Sequence, residues 1–253
     1  MAINLKSLRK GSIARPPRII LYGTHGVGKS SFAAQADKPV FIQTEEGLDA
    51  LNVTAFPLAR SYDEVMEAIG SLYSEDHEFG TVVLDSADWM EQLIFKQVAV
   101  NHKINNIEDM GYGKGYTFAV ELWRNVMEGF DLLRNEKNMQ TIFLAHSQVK
   151  RFDDPLTDSY DRYTLDLHKG GAAIISEWCD LLMFANYRVN TVKSDVGFNQ
   201  KKTRAVGAGE RVLHTQERPG WVAKRRWALP ESMSLDYETF ATELAKAMEP
   251  KGE

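Results

Sequence analysis

Short apolar runs alternate with longer amphipathic stretches along most of this chain. The runs are rich in β-branched residues and have the length of buried strands, at 19–22, 39–43, 81–85, 141–145 and 181–188. Stretches with apolar residues at helical spacing lie between them, at 31–36, 61–74, 87–102, 118–134 and 172–178. Because parallel strands need a crossover between them, this alternation predicts an α/β fold: a central, mostly parallel sheet with helices on both faces.

The remaining segments carry weaker patterns. Residues 103–116 read as an irregular excursion that ends in a glycine-rich loop at 111–116. Residues 149–170 are polar and turn-rich, which predicts mobile loops with a short hairpin at 160–167. Two further strands are expected at 202–206 and 211–215, and a closing helix at 237–248.

Composition limits the class of protein but does not identify its binding partner. The chain has 253 residues, 43% hydrophobic and 26% charged, which is enough for one domain with a full core. With a net charge of -5, contact with nucleic acid would have to come from local basic patches. The only cysteine, Cys179, excludes an internal disulfide and is expected to be a small buried side chain.

Targeting signals are missing from the pattern. No apolar run approaches the about 18 residues that span a bilayer, and the start of the chain has no apolar signal-peptide core. We therefore expect a cytoplasmic protein with no membrane role.

The first 18 residues differ from the rest in charge. They contain five basic residues and no acid, namely Lys6, Arg9, Lys10, Arg15 and Arg18. Both a solvated leader and an arm that contacts DNA or a partner fit this pattern. The expected organisation is a basic arm at 1–18 and a single domain at 19–253.

A phosphate-binding motif follows the first predicted strand. Residues 23–30 match G-x-x-x-x-G-K-[ST], and the predicted nucleotide-binding residues are Gly23, Thr24, His25, Gly26, Val27, Gly28, Lys29, Ser30 and Ser31. A glycine loop that opens a helix points backbone N–H groups at a polyphosphate, and the helix N-terminus adds about half a positive charge. Lys29 would reach the β- and γ-phosphates and Ser30 would ligate Mg²⁺, which predicts ATP and Mg²⁺ as ligands.

Acidic residues follow two of the other predicted strands. Since ligands bind beyond the carboxyl ends of parallel strands, Asp85 is expected to hold the metal shell, with Asp88 as the weaker alternative. Glu45 and Glu46 follow the second strand, where a carboxylate can activate the attacking water. The alternative is that both are exposed acids that precede a helix.

Later residues offer a sensor and further cations. Gln148 follows the 141–145 strand and is the expected sensor of the γ-phosphate, in preference to His146. Basic clusters lie at 201–204 and 224–226. Such runs are usually solvated, but in an oligomer one cation can enter the nucleotide site of the next subunit and stabilise transition-state charge.

Taken together, these motifs resemble the RecA-type recombinases, in particular the short phage-encoded RecA-like ATP-binding proteins that act in single-strand annealing. F-I-Q-T-E-E-G-L-D at 41–49 is similar to the family's F-I-D-A-E-H-A-L-D, which places the catalytic glutamate on Glu45. S-Q-V-K at 147–150 resembles N-Q-I-R and places the sensing glutamine on Gln148. A-K-R-R-W-A-L-P at 223–230 resembles V-K-N-K-I-A-A-P, whose two lysines act across a subunit boundary and correspond to Lys224 and Arg226.

The resemblance implies a RecA-like P-loop NTPase, a Mg²⁺-dependent ATPase stimulated by DNA. ATP would bind between subunits of a ring or filament, in the cytoplasm of a phage host, with a single-strand DNA-binding protein as a further partner. Single-stranded DNA would bind the loops after Gln148, where the candidate residues are Lys150, Arg151, Arg162 and Lys169, with Tyr160 or Tyr163 as stacking groups.

Two other functions remain open on sequence grounds. The 149–170 segment mixes acids with its bases, unlike RecA, which leaves room for a replication motor or helicase loader that works through a protein partner. The same segment could serve as the lid of a small-molecule kinase, although a glutamate after the second strand and a late Lys-x-Arg pair suit hydrolysis at an interface better.

Overall fold

We describe a computed structural model, which covers residues 15–195 and 201–249 together with Asn4 and Leu8; the side chains at 189–195 and 201–208 lie outside the description. Lys6, Arg9 and Lys10 of the basic arm also fall outside it. The strands are β1 Arg18–Gly23, β2 Pro39–Gln43, β3 Thr54–Ala55, β4 Thr81–Asp85, β5 Gln140–Phe152, β6 Tyr160–Leu165, β7 Leu181–Asp195, β8 Lys201–His214, β9 Lys224–Arg225 and β10 Ser232–Ser234. The helices are α1 Lys29–Ala33, α2 Tyr62–Ser74, α3 Ala87–His102, α4 Lys114–Glu136, α5 Lys169–Trp178 and α6 Tyr237–Met248.

One sheet organises these elements, in the order β10-β8-β7-β1-β5-β4-β2-β3, with β6 paired to β5 and β9 paired to β7. The strands from β7 to β3 are parallel along this path, and β8 and β10 are antiparallel additions at one edge. The predicted α/β architecture, a central and mostly parallel sheet with helices on both faces, is confirmed.

Register brings the carboxyl ends of three strands together, beside the middle of β5. Gly23 at the end of β1 pairs with His146 in β5, and Asp85 at the end of β4 pairs with Leu144 in the same strand. Gln43 at the end of β2 pairs with Asp85. The segments that leave β1, β2 and β4 therefore meet beside β5.

Each face of the sheet has its own apolar core. Side chains of α2, α3, α4 and α5 pack on one face, around the fully buried Trp123 and Phe143. The opposite core includes Phe32 of α1 and Phe240 of α6. Cys179 is buried as expected, and burial raises the pKa of its thiol to about 12. Within the described ranges, no helix has both the length and the apolar character required to cross a bilayer.

The region after β5 differs from the sequence prediction. Instead of mobile loops with a short hairpin, β5 continues to Phe152 and pairs with β6 from Ser147 to Phe152. Lys150 and Arg151 are therefore strand residues, and Lys169 begins α5. Polarity misled the prediction, because an exposed antiparallel pair needs no apolar run to hold its backbone hydrogen bonds.

Other boundaries also moved. β7 and β8 form one long antiparallel ribbon rather than three short strands, and α1 is a short helix that ends at Ala33. Arg18, assigned to the basic arm, is the first residue of β1. The long helix α4 begins at Lys114, inside the predicted glycine loop, after positive φ values at Gly111, Tyr112 and Gly113.

Candidate nucleotide site

The motif at 23–30 forms the turn between β1 and α1. Gly26 and Gly28 have φ values of 71° and 103°, in a region of backbone conformation that residues other than glycine rarely adopt. Gly23 passes so close to the Ala185 backbone that a Cβ there would clash. Val27 is fully buried and fixes the middle of the loop to the core below it. The glycines thus shape a loop with backbone amides at a helix N-terminus, the arrangement that binds phosphate.

Lys29 is held inside this loop. Its Nζ donates hydrogen bonds of 3.2 Å to the carbonyl oxygens of both Gly23 and Thr24. The side chain is only 7% exposed, and burial lowers the pKa of its ammonium, with Asp85 and Glu45 opposing that shift. Lys29 has no salt bridge to any carboxylate in the described part of the chain, and a buried cation of this kind gains most from an anion placed beside it.

Ser30 and Asp85 meet as the sequence predicts for a magnesium site. The Ser30 hydroxyl donates to Asp85 Oδ2 at 2.8 Å, and Asp85 is 6% exposed. Burial raises the pKa of the Asp85 carboxyl, while the bond from Ser30 opposes that shift. A hydroxyl and a carboxylate at the end of a phosphate loop are oxygen donors of the kind that Mg²⁺ uses. The residues present therefore fit the metal and the polyphosphate of ATP.

The structure separates the two candidate bases. Glu45 is partly buried, and its Oε1 lies 4.0 Å from His146 Nδ1, whereas Glu46 is exposed. Burial raises the pKa of Glu45 above its ordinary value, and Asp88 and Asp85 contribute in the same direction. A cavity of about 400 Å³ opens beside Glu45 and is lined in part by Trp89 and Lys96. These features favour Glu45 as the residue that can act on water.

A His–Asp pair that the sequence did not indicate lies between these elements. His146 Nδ1 is 2.8 Å from Asp88 Oδ2, and the His146 backbone N–H donates to Asp88 Oδ1 at 2.9 Å. Burial raises the pKa of Asp88, but the hydrogen bonds from His146 outweigh it and leave that pKa below its ordinary value. The His146 ring also stacks on His25 of the loop, with centroids 3.8 Å apart. Asp88 thus orients His146 rather than facing Ser30.

Gln148 lies further along β5 and is occupied by the hairpin. Its Nε2 donates to the carbonyl oxygens of Leu165 and Leu167 at 2.7 and 3.4 Å. His146, two residues earlier, is the member of this strand end that contacts the loop. The sensor role of Gln148 stays a prediction, and it would require the amide to leave these carbonyls.

Lys224 and Arg226 lie near the amino ends of the parallel strands, where β9 pairs with the start of β7. The phosphate loop lies at the carboxyl ends of the same strands. Lys224 Nζ donates three hydrogen bonds of 2.8 Å, to the carbonyl oxygens of Ser176, Glu177 and Cys179 at the end of α5. Arg226 Nε lies 2.8 Å from Asp180 Oδ1. Both cations have partners within their own subunit. The side chains of Lys201, Lys202 and Arg204, in the other basic cluster, lie outside the described part of the chain.

The four candidate DNA-binding residues do not share one surface. Lys150 and Arg162 are opposite each other on one face of the β5–β6 hairpin, Arg151 points to the other face, and Lys169 belongs to α5. The Arg162 guanidinium lies 3.8 Å from the centroid of the Phe152 ring and 3.2 Å from Glu217.

The two candidate stacking tyrosines also differ. The ring of Tyr163 packs on Phe184, with centroids 4.9 Å apart, so the side chain is turned into the core. Tyr160 is partly exposed on the hairpin, 5.6 Å from the Phe152 ring. Of the two, Tyr160 is the one placed to stack on a base.

The match to a known family settles the class of protein. A family model described as an AAA domain, AAA_24, matches residues 15–227, from the end of the basic arm past the second basic cluster. The chain belongs to this family. As an AAA_24 member with an intact phosphate loop, the protein is a P-loop ATPase by class, which agrees with the coarser part of the sequence prediction.

Two further similarities accompany the AAA_24 match. Over 135 residues the chain is 21% identical to the SPbeta prophage-derived uncharacterized protein YorG of Bacillus subtilis (strain 168). That alignment covers 51% of this chain and 40% of the relative, so the chain spans less than half the length of that protein. The crystal structure of the RadB recombinase is similar with a TM-score of 0.45 and 14% identity, over 87% of this chain and 86% of that one.

Proposed function

We propose that this AAA_24 protein hydrolyses ATP with Mg²⁺ and acts on single-stranded DNA in recombination or strand annealing. The observation that carries the ATPase part is the 2.8 Å contact between Ser30 and Asp85 beside the buried Lys29. This contact between the start of α1 and the end of β4 supports a shared site for a metal ion and phosphate oxygens.

Each residue has a distinct task in this proposal. Loop amides and Lys29 hold the phosphates, while Ser30 and Asp85 hold the metal ion, which would neutralise charge on the phosphate oxygens when bound. Glu45 orients the attacking water and accepts its proton, and the raised pKa makes this carboxylate a stronger base than an exposed glutamate. His146, fixed by Asp88, lies between Glu45 and the loop and connects the site to β5.

An assay of ATP turnover tests this assignment. Phosphate release would be measured without any acceptor, with and without single-stranded DNA, for the parent, Lys29→Ala and Glu45→Gln. Lys29→Ala should lose nucleotide binding, and Glu45→Gln should bind ATP but hydrolyse it far more slowly than the parent. Glu46→Gln, an exposed neighbour, is the matched control and should behave like the parent. Turnover that required an added small acceptor would favour a kinase, for which the cavity beside Glu45 offers space.

The DNA part of the proposal rests on the family resemblance and on exposed cations of the hairpin. Lys150 and Arg151 are exposed near its end. A prophage-derived relative is consistent with a phage setting. If these residues bind phosphates, Lys150→Ala and Arg151→Ala should each weaken binding to single-stranded DNA and lower its salt dependence by about one phosphate contact. Lys246→Ala, which removes an exposed cation on α6, is the control.

A second candidate follows from the acids of the same hairpin. Four aspartates lie on it or in its turn, at Asp153, Asp154, Asp158 and Asp161. Such acids repel the phosphates of DNA and suit a basic protein partner. ATP turnover that is stimulated by a replication protein and unaffected by DNA would favour a motor or helicase loader over a recombination protein.

A further inference from the structure

Tyr187 of β7 and Arg211 of β8 extend the sheet beyond the start of the phosphate loop, on the face that α1 covers. Ala185 and Leu213 are paired in β7 and β8, and both belong to the core under α1. Two positions further from the core, Tyr187 and Arg211 form the next pair with the same orientation. Since Ala185 is also the partner of Gly23 in β1, this pair lies directly beyond the start of the loop.

A bulge precedes Arg211 in the ribbon. Pairing shifts between Tyr187–Arg211 and Val189–Gly207, so the single residue Arg188 on β7 faces three residues, 208–210, on β8. Gly209 within this bulge has a φ of 74°. Bulges bend a strand and redirect its side chains, and they are common next to functional sites. Here the bulge ends directly before Arg211.

Both members of the pair contact the loop. The Tyr187 hydroxyl donates to the carbonyl oxygen of Gly26 at 3.1 Å. The Arg211 guanidinium lies over Gly28, so that a Cβ added to Gly28 would be 2.5 Å from Arg211 Nη1. Gly28 therefore leaves the space that the guanidinium fills. The hydrogen bond from Tyr187 attaches the ribbon to the loop. The Arg211 guanidinium lies next to Gly28, the residue directly before Lys29.

The charge of Arg211 is not neutralised by the described residues. Among them, no carboxylate oxygen lies within 4.0 Å of its guanidinium. Arg188, its neighbour across the ribbon, pairs with Glu210 at 3.2 Å. An arginine that served only the ribbon could have been neutralised in the same way. An exposed guanidinium beside a phosphate loop can instead bind phosphate oxygens through two parallel hydrogen bonds.

We propose that Arg211 is a phosphate-binding residue of the nucleotide site, contributed by the subunit that holds the loop. It rests on the proposed nucleotide function and adds to it a cation from β8 of the same chain. The family resemblance assigns the binding of phosphate charge to Lys224 and Arg226 of a neighbouring subunit. Both residues already have partners in their own subunit, at the amino ends of the parallel strands. Arg211 needs no neighbour to reach the loop.

Equilibrium binding tests the proposal without turnover. Titration calorimetry would measure the Kd of the Mg²⁺ complex of ATPγS, and of adenosine, for the parent, Arg211→Ala and Arg211→Lys. The alanine variant should bind ATPγS about 10- to 100-fold more weakly, as expected for loss of a charged hydrogen bond. Lysine should restore part of the affinity, since it keeps the charge but not the planar pair of donors. Adenosine binding should not change.

Arg188→Ala is the matched control, because it removes an exposed arginine of the same ribbon without a contact to the loop. Equal affinity of the parent and Arg211→Ala for ATPγS would overturn the proposal and leave the ATPase function standing. An equal loss in Arg188→Ala would overturn it in favour of ribbon charge. Failure of the parent to bind nucleotide would overturn both proposals. Should alanine lower the melting temperature without nucleotide, Arg211→Gln, which keeps hydrogen-bond donors but not the charge, decides in its place.

Discussion

The two ends of the parallel strands use the same kinds of charged residue in different ways. At the carboxyl ends, burial raises the pKa values of Asp85 and Glu45 and lowers that of Lys29. At the amino ends, Asp180 precedes β7, and three arginines, Arg18, Arg134 and Arg226, lie within 3.6 Å of its carboxylate. Burial raises the pKa of Asp180, but hydrogen bonds and charge from Arg18 outweigh it and lower the pKa overall.

The directions of these shifts separate function from structure. The ionised forms of Asp85, Glu45 and Lys29 are disfavoured by their surroundings and would gain from a ligand, which is typical of a binding site. Asp180 is stabilised in its ionised form by its own subunit and has no such need. The following predictions test this difference, beginning with the largest effect.

Asp180→Asn should lower the free energy of unfolding by about 3–5 kcal/mol, because it leaves three arginines beside a buried, neutral side chain. Chemical denaturation measures this loss. Nucleotide affinity of the folded variant should be unchanged. Glu78→Gln, which breaks the exposed pair with Lys38, should change the stability only slightly. A similar small loss in Asp180→Asn would remove the structural interpretation of this end.

The pH dependence of that loss has a definite sign. Because the folded state lowers the pKa of Asp180 below its ordinary value of 3.8, its contribution is present above that value and is lost as pH falls through the folded pKa. The difference in stability between the parent and Asp180→Asn should therefore persist at neutral pH and shrink only in stronger acid.

Glu45→Gln should lower kcat by about 10²- to 10⁴-fold, the usual range for removal of a general base. ATP affinity should remain close to that of the parent, since the amide keeps the size of the carboxylate. Single-turnover phosphate release with bound ATP separates the two effects. Comparable losses in Glu45→Gln and Glu46→Gln would contradict the choice between these neighbours.

Lys224→Ala should lower the free energy of unfolding by about 1–3 kcal/mol, because three carbonyl oxygens at the end of α5 lose a charged donor. Once folded, the variant should retain the turnover of the parent. A role across a subunit boundary predicts the reverse, namely unchanged stability and lost turnover. In that case, mixing Lys224→Ala with Lys29→Ala subunits would restore part of the activity.

The smallest expected effect is a shift of the acid limb of the pH profile of kcat/KM. Water activation needs the ionised form of Glu45, and a raised pKa means that this form is lost at a higher pH than for an ordinary carboxyl. The profile of kcat/KM should therefore fall on its acid side above pH 4.5, the ordinary value for a glutamate. The limb should be missing from the residual activity of Glu45→Gln; a limb that persisted there would belong to another group.

Local sequence patterns were sufficient to predict the central strands of the fold and the positions of Lys29, Ser30 and Asp85. The strands β1, β2 and β4, the helix α2 and the loop at 23–30 follow from apolar runs, helical spacing and glycine spacing. Lys29, Ser30 and Asp85 are placed by the same signals, because each lies within a few residues of a strand end. Polar antiparallel pairs such as β5–β6 have no such signal, and the prediction there was wrong.

The sequence by itself determined that a phosphate loop follows the first strand of an α/β sheet, since loop shape and helix start depend on neighbouring residues. Only the tertiary structure decided which distant charges serve that loop. It placed His146 and Asp88 beside the loop, set Arg211 against Gly28, and gave Lys224 and Arg226 partners at the amino ends of the parallel strands. Strand register and bulges fix such contacts, and they arise from pairing between segments far apart in the chain.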